Sequence, residues 1–122
     1  MTGHRPKTAS ELLIGTWRSD RERTEAQWVW PKRLAAARRR QWFAMFGHLE
    51  NRFTRKRCYT THLGKVTSAP YRIVWEGFHV YPQLVVVYDT GTREQAEHIF
   101  FDTKDSYYIQ GGKCAEFFKR EK

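Results

Sequence analysis

The rhythm of hydrophobic and polar positions changes twice along this chain. After a polar opening to Ser10, Leu12 to Ser19 reads as a first strand, with Ser10 and Glu11 suited to open a short helical turn ahead of it. Between Pro31 and Gly47 the segment LAAARRRQWFAMF follows a period near 3.6. Ala35, Arg39, Trp42, Phe43 and Phe46 fall on one stripe, with Leu34 and Met45 at its edges. Pro31 suits the first helical position and Gly47 the residue past the end, so one helix is expected over 31–46.

From Leu49 onward the rhythm shortens to period two, broken by turn signals at Gly64, Gly77, Gly91, Gly111-Gly112 and Thr103-Lys104-Asp105. This predicts strands over 49–54, 57–63, 66–75, 83–89, 94–102, 106–110 and 113–120. With the first strand they number eight, and every connection after the helix is short, which makes successive strands antiparallel neighbours. Closing such a meander removes its two exposed edges. The expected fold is therefore mainly β: an eight-stranded antiparallel up-and-down β-barrel with one α-helix between the first two strands. Residues 1–10 are expected to form a flexible tail and residues 11–122 a single domain.

Strand alternation divides the side chains into an inner and an outer set. Tyr71, Ile73 and Trp75 share a face of the fourth strand, Leu84, Val86 and Tyr88 a face of the fifth, and Tyr59 and Thr61 a face of the third. His98 alternates with Ala96 and Phe100 and is placed inward, with Glu97 opposite; Glu116 shares a face with Phe118 and Arg120. The candidate ligand-binding set is Trp17, Trp42, Phe46, Tyr59, Tyr71, Ile73, Trp75, Val86, Tyr88, His98, Tyr108, Phe118 and Arg120. A one-residue register slip exchanges each set for its neighbours. Five Trp, six Tyr and eight Phe also suffice to fill the interior outright, so a hollow and a solid barrel both stand open.

Charge sharpens the picture. Residues 1–57 hold 14 Lys and Arg against 5 Asp and Glu, so the whole net charge of +9 belongs to that part. Arg38-Arg39-Arg40 and Arg55-Lys56-Arg57 are its densest runs. If they meet in space, they form a face for nucleic acid or another anionic surface, with Trp28 and Trp30 available to stack on bases. Aromatic residues around Trp28 suit a homo-oligomer interface equally well.

Other classes recede. No apolar run approaches the roughly 20 residues of a membrane-spanning helix, and the N-terminus has no apolar signal centre, so a soluble, cytoplasmic protein is expected. Cys58 and Cys114 are spaced for neither a metal nor a redox pair. Phosphate-loop, HExxH and Gly-Xaa-Ser-Xaa-Gly signatures are missing, so no catalytic residues, metal or cofactor are assigned.

Gly15-Thr16-Trp17 on the first strand, an eight-strand meander and a basic residue, Lys119 or Arg120, on the last strand resemble the calycin superfamily of lipocalins and fatty-acid-binding proteins. The resemblance implies a tryptophan across the closed end of the barrel with a late arginine over its ring. It also implies a helical lid between strands one and two, and a small hydrophobic ligand, with or without negative charge, inside. Departures accompany it: the last strand, CAEFFKRE, lacks the Arg-Xaa-Tyr that holds carboxylates in fatty-acid-binding proteins. Haem-binding nitrobindins share a similar Gly-Thr-Trp but use a histidine late in the chain; the last one here, His98, is not on the final strand, so haem is not expected.

Overall fold

Residues 7–29, 35–44, 46–111 and 114–121 are described by the computed structural model. The elements run α1 (Ala9–Leu13), β1 (Gly15–Ser19), α2 (Arg21–Gln27), α3 (Ala36–Phe43), β2 (Leu49–Phe53), β3 (Arg57–His62), β4 (Lys65–His79), β5 (Tyr81–Asp89), β6 (Glu94–Thr103), β7 (Ser106–Gly111) and β8 (Cys114–Arg120). The eight strands close in sequence order into one antiparallel barrel, β8 pairing back onto β1. This is the predicted architecture, compatible with a calycin-like fold, and the strand bounds depart from expectation mainly in β4, which runs on to His79.

The insertion between β1 and β2 differs in detail. It contains two described helices rather than one, and α3 begins at Ala36; Pro31 and Met45 lie outside the described residues. The unexpected α2 is capped by Asp20, whose side chain accepts from the Arg23 N–H. It buries only Thr24, whose hydroxyl accepts from the Phe117 N–H at 3.0 Å. With so little apolar surface it leaves no periodic trace in the sequence.

Gly15-Thr16-Trp17 builds the closed end. In the β1–β8 register Trp17 stands opposite Arg120, and the guanidinium lies 4.2 Å above the indole centre. Its nitrogens donate to the carbonyls of Ile14 (3.0 Å), Leu12 (2.8 Å) and Lys104 (2.9 Å) and pair with Asp105 at 3.1 Å. The charge and four of the five N–H donors are thus engaged while the ring gains cation–π attraction. The fully buried indole donates to Leu13 O at 3.0 Å. That carbonyl belongs to α1, held at its start by the Thr8–Glu11 capping box and burying Ala9, Leu12 and Leu13 over the barrel end. Gly15 has a φ of +139°, and a Cβ there would sit 2.6 Å from Arg120 Nη1, so position 15 admits only glycine without rearrangement.

Aromatic doublets on three consecutive strands decide what is core. Phe100-Phe101, Tyr107-Tyr108 and Phe117-Phe118 each place one ring inside and one outside. The inner rings pack Phe101 to Tyr107 (5.9 Å between centres) and Tyr107 to Phe118 (4.8 Å), with Trp17 edge-on to Tyr107 at 4.7 Å. The outer ones form a second ladder, Phe100 to Tyr108 (5.1 Å) and Tyr108 to Phe117 (5.3 Å), closed by Arg23 of α2 at 4.1 Å over Phe117. With Phe53, Leu84, Val86 and Ile99 also buried, the half of the barrel next to Trp17 is solid.

Candidate ligand-binding cavity

The other half is hollow. At the Trp17 end the chain turns between β2 and β3, β4 and β5, and β6 and β7. At the opposite end lie the helical insertion and the β3–β4, β5–β6 and β7–β8 turns. A cavity of about 480 Å³ occupies this second end, enough for about sixteen waters at about 30 Å³ each. Leu49 and Asn51 of β2, Cys58 and Thr60 of β3, Thr67 and Ala69 of β4, Tyr88 of β5, Gln95 and Glu97 of β6, Ile109 of β7, and Glu116 and Phe118 of β8 line it.

Its polar groups are connected. Thr60 Oγ1 donates to Asn51 Oδ1 at 3.0 Å, and Asn51 Nδ2 donates to the Tyr107 hydroxyl at 3.4 Å. The Tyr88 hydroxyl donates to Glu97 Oε1 at 3.1 Å. Ser19 Oγ donates to Glu116 Oε2 at 3.0 Å and accepts from the Gly47 N–H at 3.1 Å, so the return of the helical insertion is tied to a cavity carboxylate through one hydroxyl.

Burial is the main cause that raises the Glu97 carboxyl above its ordinary value of 4.5; the Tyr88 hydrogen bond opposes the rise and the Glu116 charge adds to it. Burial likewise raises Glu116, against the pull of Ser19. Tyr88 and Tyr107 are pushed well above the usual phenol range, chiefly by burial, and remain neutral hydroxyls. Burial pushes the Cys58 thiol up to about 11, which keeps it protonated and unreactive at neutral pH.

The sequence-derived candidates divide between inside and outside. Phe118 and Tyr88 line the cavity, Val86 is buried beneath it, Tyr71 and Ile73 pack against the core, and Trp17 with Arg120 forms the closed end. Tyr59, Trp75, His98 and Tyr108 face outward, which corrects the expected phase of those strands. Tyr59 lies under the Arg52 guanidinium at 4.3 Å, so Cys58 and Thr60 are the inward residues of β3. A bulge between Ile73 and Trp75 adds a residue and turns Trp75 to the surface, where it is 48% exposed. His98 stacks on Phe100 at 4.0 Å and meets Gln83 at 2.8 Å. Its neighbour Glu97, expected outside, is the inward residue, in phase with buried Ile99 and Phe101. Phe46 packs on Trp28 at 5.1 Å rather than into the cavity, and the side chain of Trp42 is not among those described.

Glu97 and Glu116 are the residues that sequence reasoning missed as a pair. The signal for Glu97 was its phase with Ile99 and Phe101, masked by the equally bulky Phe100.

The two basic runs flank β2. Arg38 and Arg40 are exposed on α3, in the connection that enters β2 at Leu49, whereas Arg55, Lys56 and Arg57 follow β2 at Phe53. The ends of that strand are roughly 13 Å apart at about 3.3 Å per residue. The side chain of Arg39, like Trp30, lies outside what is described.

Among the described residues no helix is long and apolar enough to cross a membrane, and no group of three or more His, Cys, Asp or Glu is placed to hold a metal. Comparison with protein families, with characterised proteins and with solved structures gave no match to this chain.

Proposed function

We propose that this protein is a calycin-like carrier that binds one small, largely apolar molecule in the half of the barrel opposite Trp17. The observation that carries this is the cavity of about 480 Å³ set above a solid aromatic floor. Interiors normally pack without voids larger than a water, and the half of the barrel opposite Trp17 departs from that. A cavity of that size, with an apolar wall beside a larger set of polar groups, suits one small molecule that has both an apolar body and a polar head. Leu49, Ala69, Ile109 and Phe118 supply the apolar wall; Asn51, Thr60, Tyr88 and Gln95 supply orientation. Arrival of the α2–α3 insertion at the same end, linked to the cavity through Ser19, fits a gated mouth.

Titration with Prodan, a neutral solvatochromic dye, tests the proposal. Saturable one-to-one binding with a blue-shifted emission is expected, and Ala69→Trp, which fills the cavity from β4, abolishes it. Emission that never shifts, or that shifts equally in the Ala69→Trp protein, rejects a binding cavity.

A further inference from the structure

The chemistry of the cavity wall is unlike that of the protein around it. The chain carries 22 Lys and Arg for a net charge of +9, yet among the described residues lining the cavity there is no Lys, Arg or His. The ionisable acids there are two carboxylates, Glu97 and Glu116, on β6 and β8. Each receives one hydrogen bond from a neutral hydroxyl, Tyr88 or Ser19, and neither takes part in an ion pair among the described residues. Carboxylates withdrawn from water without a cation are costly unless something positive joins them, and two that share one space also repel. Beside them stand Leu49, Ile109 and Phe118, a surface for an apolar body.

We infer that the occupant of the cavity is a cationic amphiphile: an apolar molecule of roughly ten to sixteen non-hydrogen atoms bearing a protonated amine or amidine that sits between Glu97 and Glu116. This rests on the ligand-binding function proposed above and specifies its chemistry. A carboxylate-headed ligand meets two like charges and no compensating cation, so the anionic option implied by the family resemblance is disfavoured in this barrel. Outer positive charge slows the approach of a cation, but salt at physiological strength screens it within about 8 Å, and the local pair of carboxylates sets the affinity. Glu97 and Glu116 are binding residues in this scheme, and Tyr88 and Ser19 are positioning residues that hold them.

Three probes with one body and different heads separate the possibilities: n-decylamine, n-decanol and n-decanoate, each titrated calorimetrically at about pH 7.5, where aliphatic amines are cationic. Decylamine is expected to bind tightest and decanoate weakest. Glu97→Gln and Glu116→Gln each lower decylamine affinity by at least about tenfold and decanol affinity far less, and an unchanged circular-dichroism spectrum shows that the variants are folded. Acidification weakens decylamine more than decanol, because protonation of Glu97 and Glu116, both raised above 4.5 by burial, removes the charge that the amine pairs with, while the raised Tyr88, Tyr107 and Cys58 stay neutral. Decanol binding as tightly as decylamine, or decanoate binding tightest, overturns the cationic assignment and leaves the cavity as a binding site. Failure of all three probes to bind overturns the binding site itself, and the cationic assignment with it.

Discussion

Replacing Arg120 by methionine removes the charge and the donor fork at the closed end while keeping a side chain of similar reach over Trp17. The hydrogen bonds to Ile14 O and Lys104 O are exposed, and water replaces them at a cost of about 0.5 kcal/mol each. The bond to Leu12 O is partly buried and is worth about 1.5 kcal/mol. The Asp105 pair, 40% exposed on the acid side, adds about 0.5 kcal/mol. Loss of the guanidinium over the indole costs about 1 kcal/mol, and methionine packing on the ring returns a similar amount. The net expectation is a destabilisation of about 3 kcal/mol, a fall in melting temperature of about 12 °C for a domain of this size. Thermal unfolding followed by near-ultraviolet circular dichroism, which reports the buried Trp17, measures it. Arg120→Lys keeps the charge without the fork and recovers only about a third of the loss. A loss below about 1 kcal/mol for Arg120→Met, or full rescue by lysine, would refute the assignment of Arg120 as the clasp that joins α1, β1 and the β6–β7 turn.

Three further outcomes are expected. Leu63, 71% exposed, holds a φ of +50° beside Gly64 at +83° in the two-residue turn between β3 and β4; Leu63→Asn is expected to stabilise the protein by about 0.5–1 kcal/mol in urea unfolding, and no gain would contradict a strained turn. Because Glu97 and Glu116 are raised in the folded state, that state binds more protons than the unfolded chain between 4.5 and their elevated values, and stability falls as pH rises through that window. The Glu97→Gln/Glu116→Gln protein should therefore melt higher than the wild type at about pH 8, with the gap closing towards about pH 4; a gap that stays constant with pH contradicts their burial. In a Cys114→Ser background, alkylation of Cys58 should keep accelerating up to about pH 11 and slow when the cavity is occupied; a rate that levels off near neutral pH is incompatible with the buried thiol.

Strand number, order and turns were legible because turn residues punctuate the chain and each connection is short. The role of Gly15-Thr16-Trp17 was legible too, since pairing of the first and last strands brings residues 17 and 120 together. Side-chain phase was not. Where both members of a doublet are aromatic, as in Phe100-Phe101 and Tyr107-Tyr108, alternation carries no polarity signal, and the phase that His98 shares with Phe100 reads equally as inward or outward. Trp75 was in phase with Ile73 in the sequence, and a bulge that no local residue type announces reversed it. Helix α2 is not legible because the Thr24 hydroxyl and the Arg23 guanidinium over Phe117, rather than an apolar stripe, anchor it to β8. Convergence of Glu97 and Glu116 is a tertiary event: 19 positions apart on non-adjacent strands, they meet only when the barrel closes.

A soft-ionisation mass spectrum of the folded protein, recorded after incubation with a mixture of neutral, anionic and cationic C8–C12 amphiphiles, tests the hollow half of the barrel most directly. A carrier is expected to show a one-to-one adduct on the order of two hundred daltons above the bare mass, absent from the Ala69→Trp protein. The bare mass alone across the whole mixture, or an adduct undiminished by Ala69→Trp, would contradict a ligand site in the barrel.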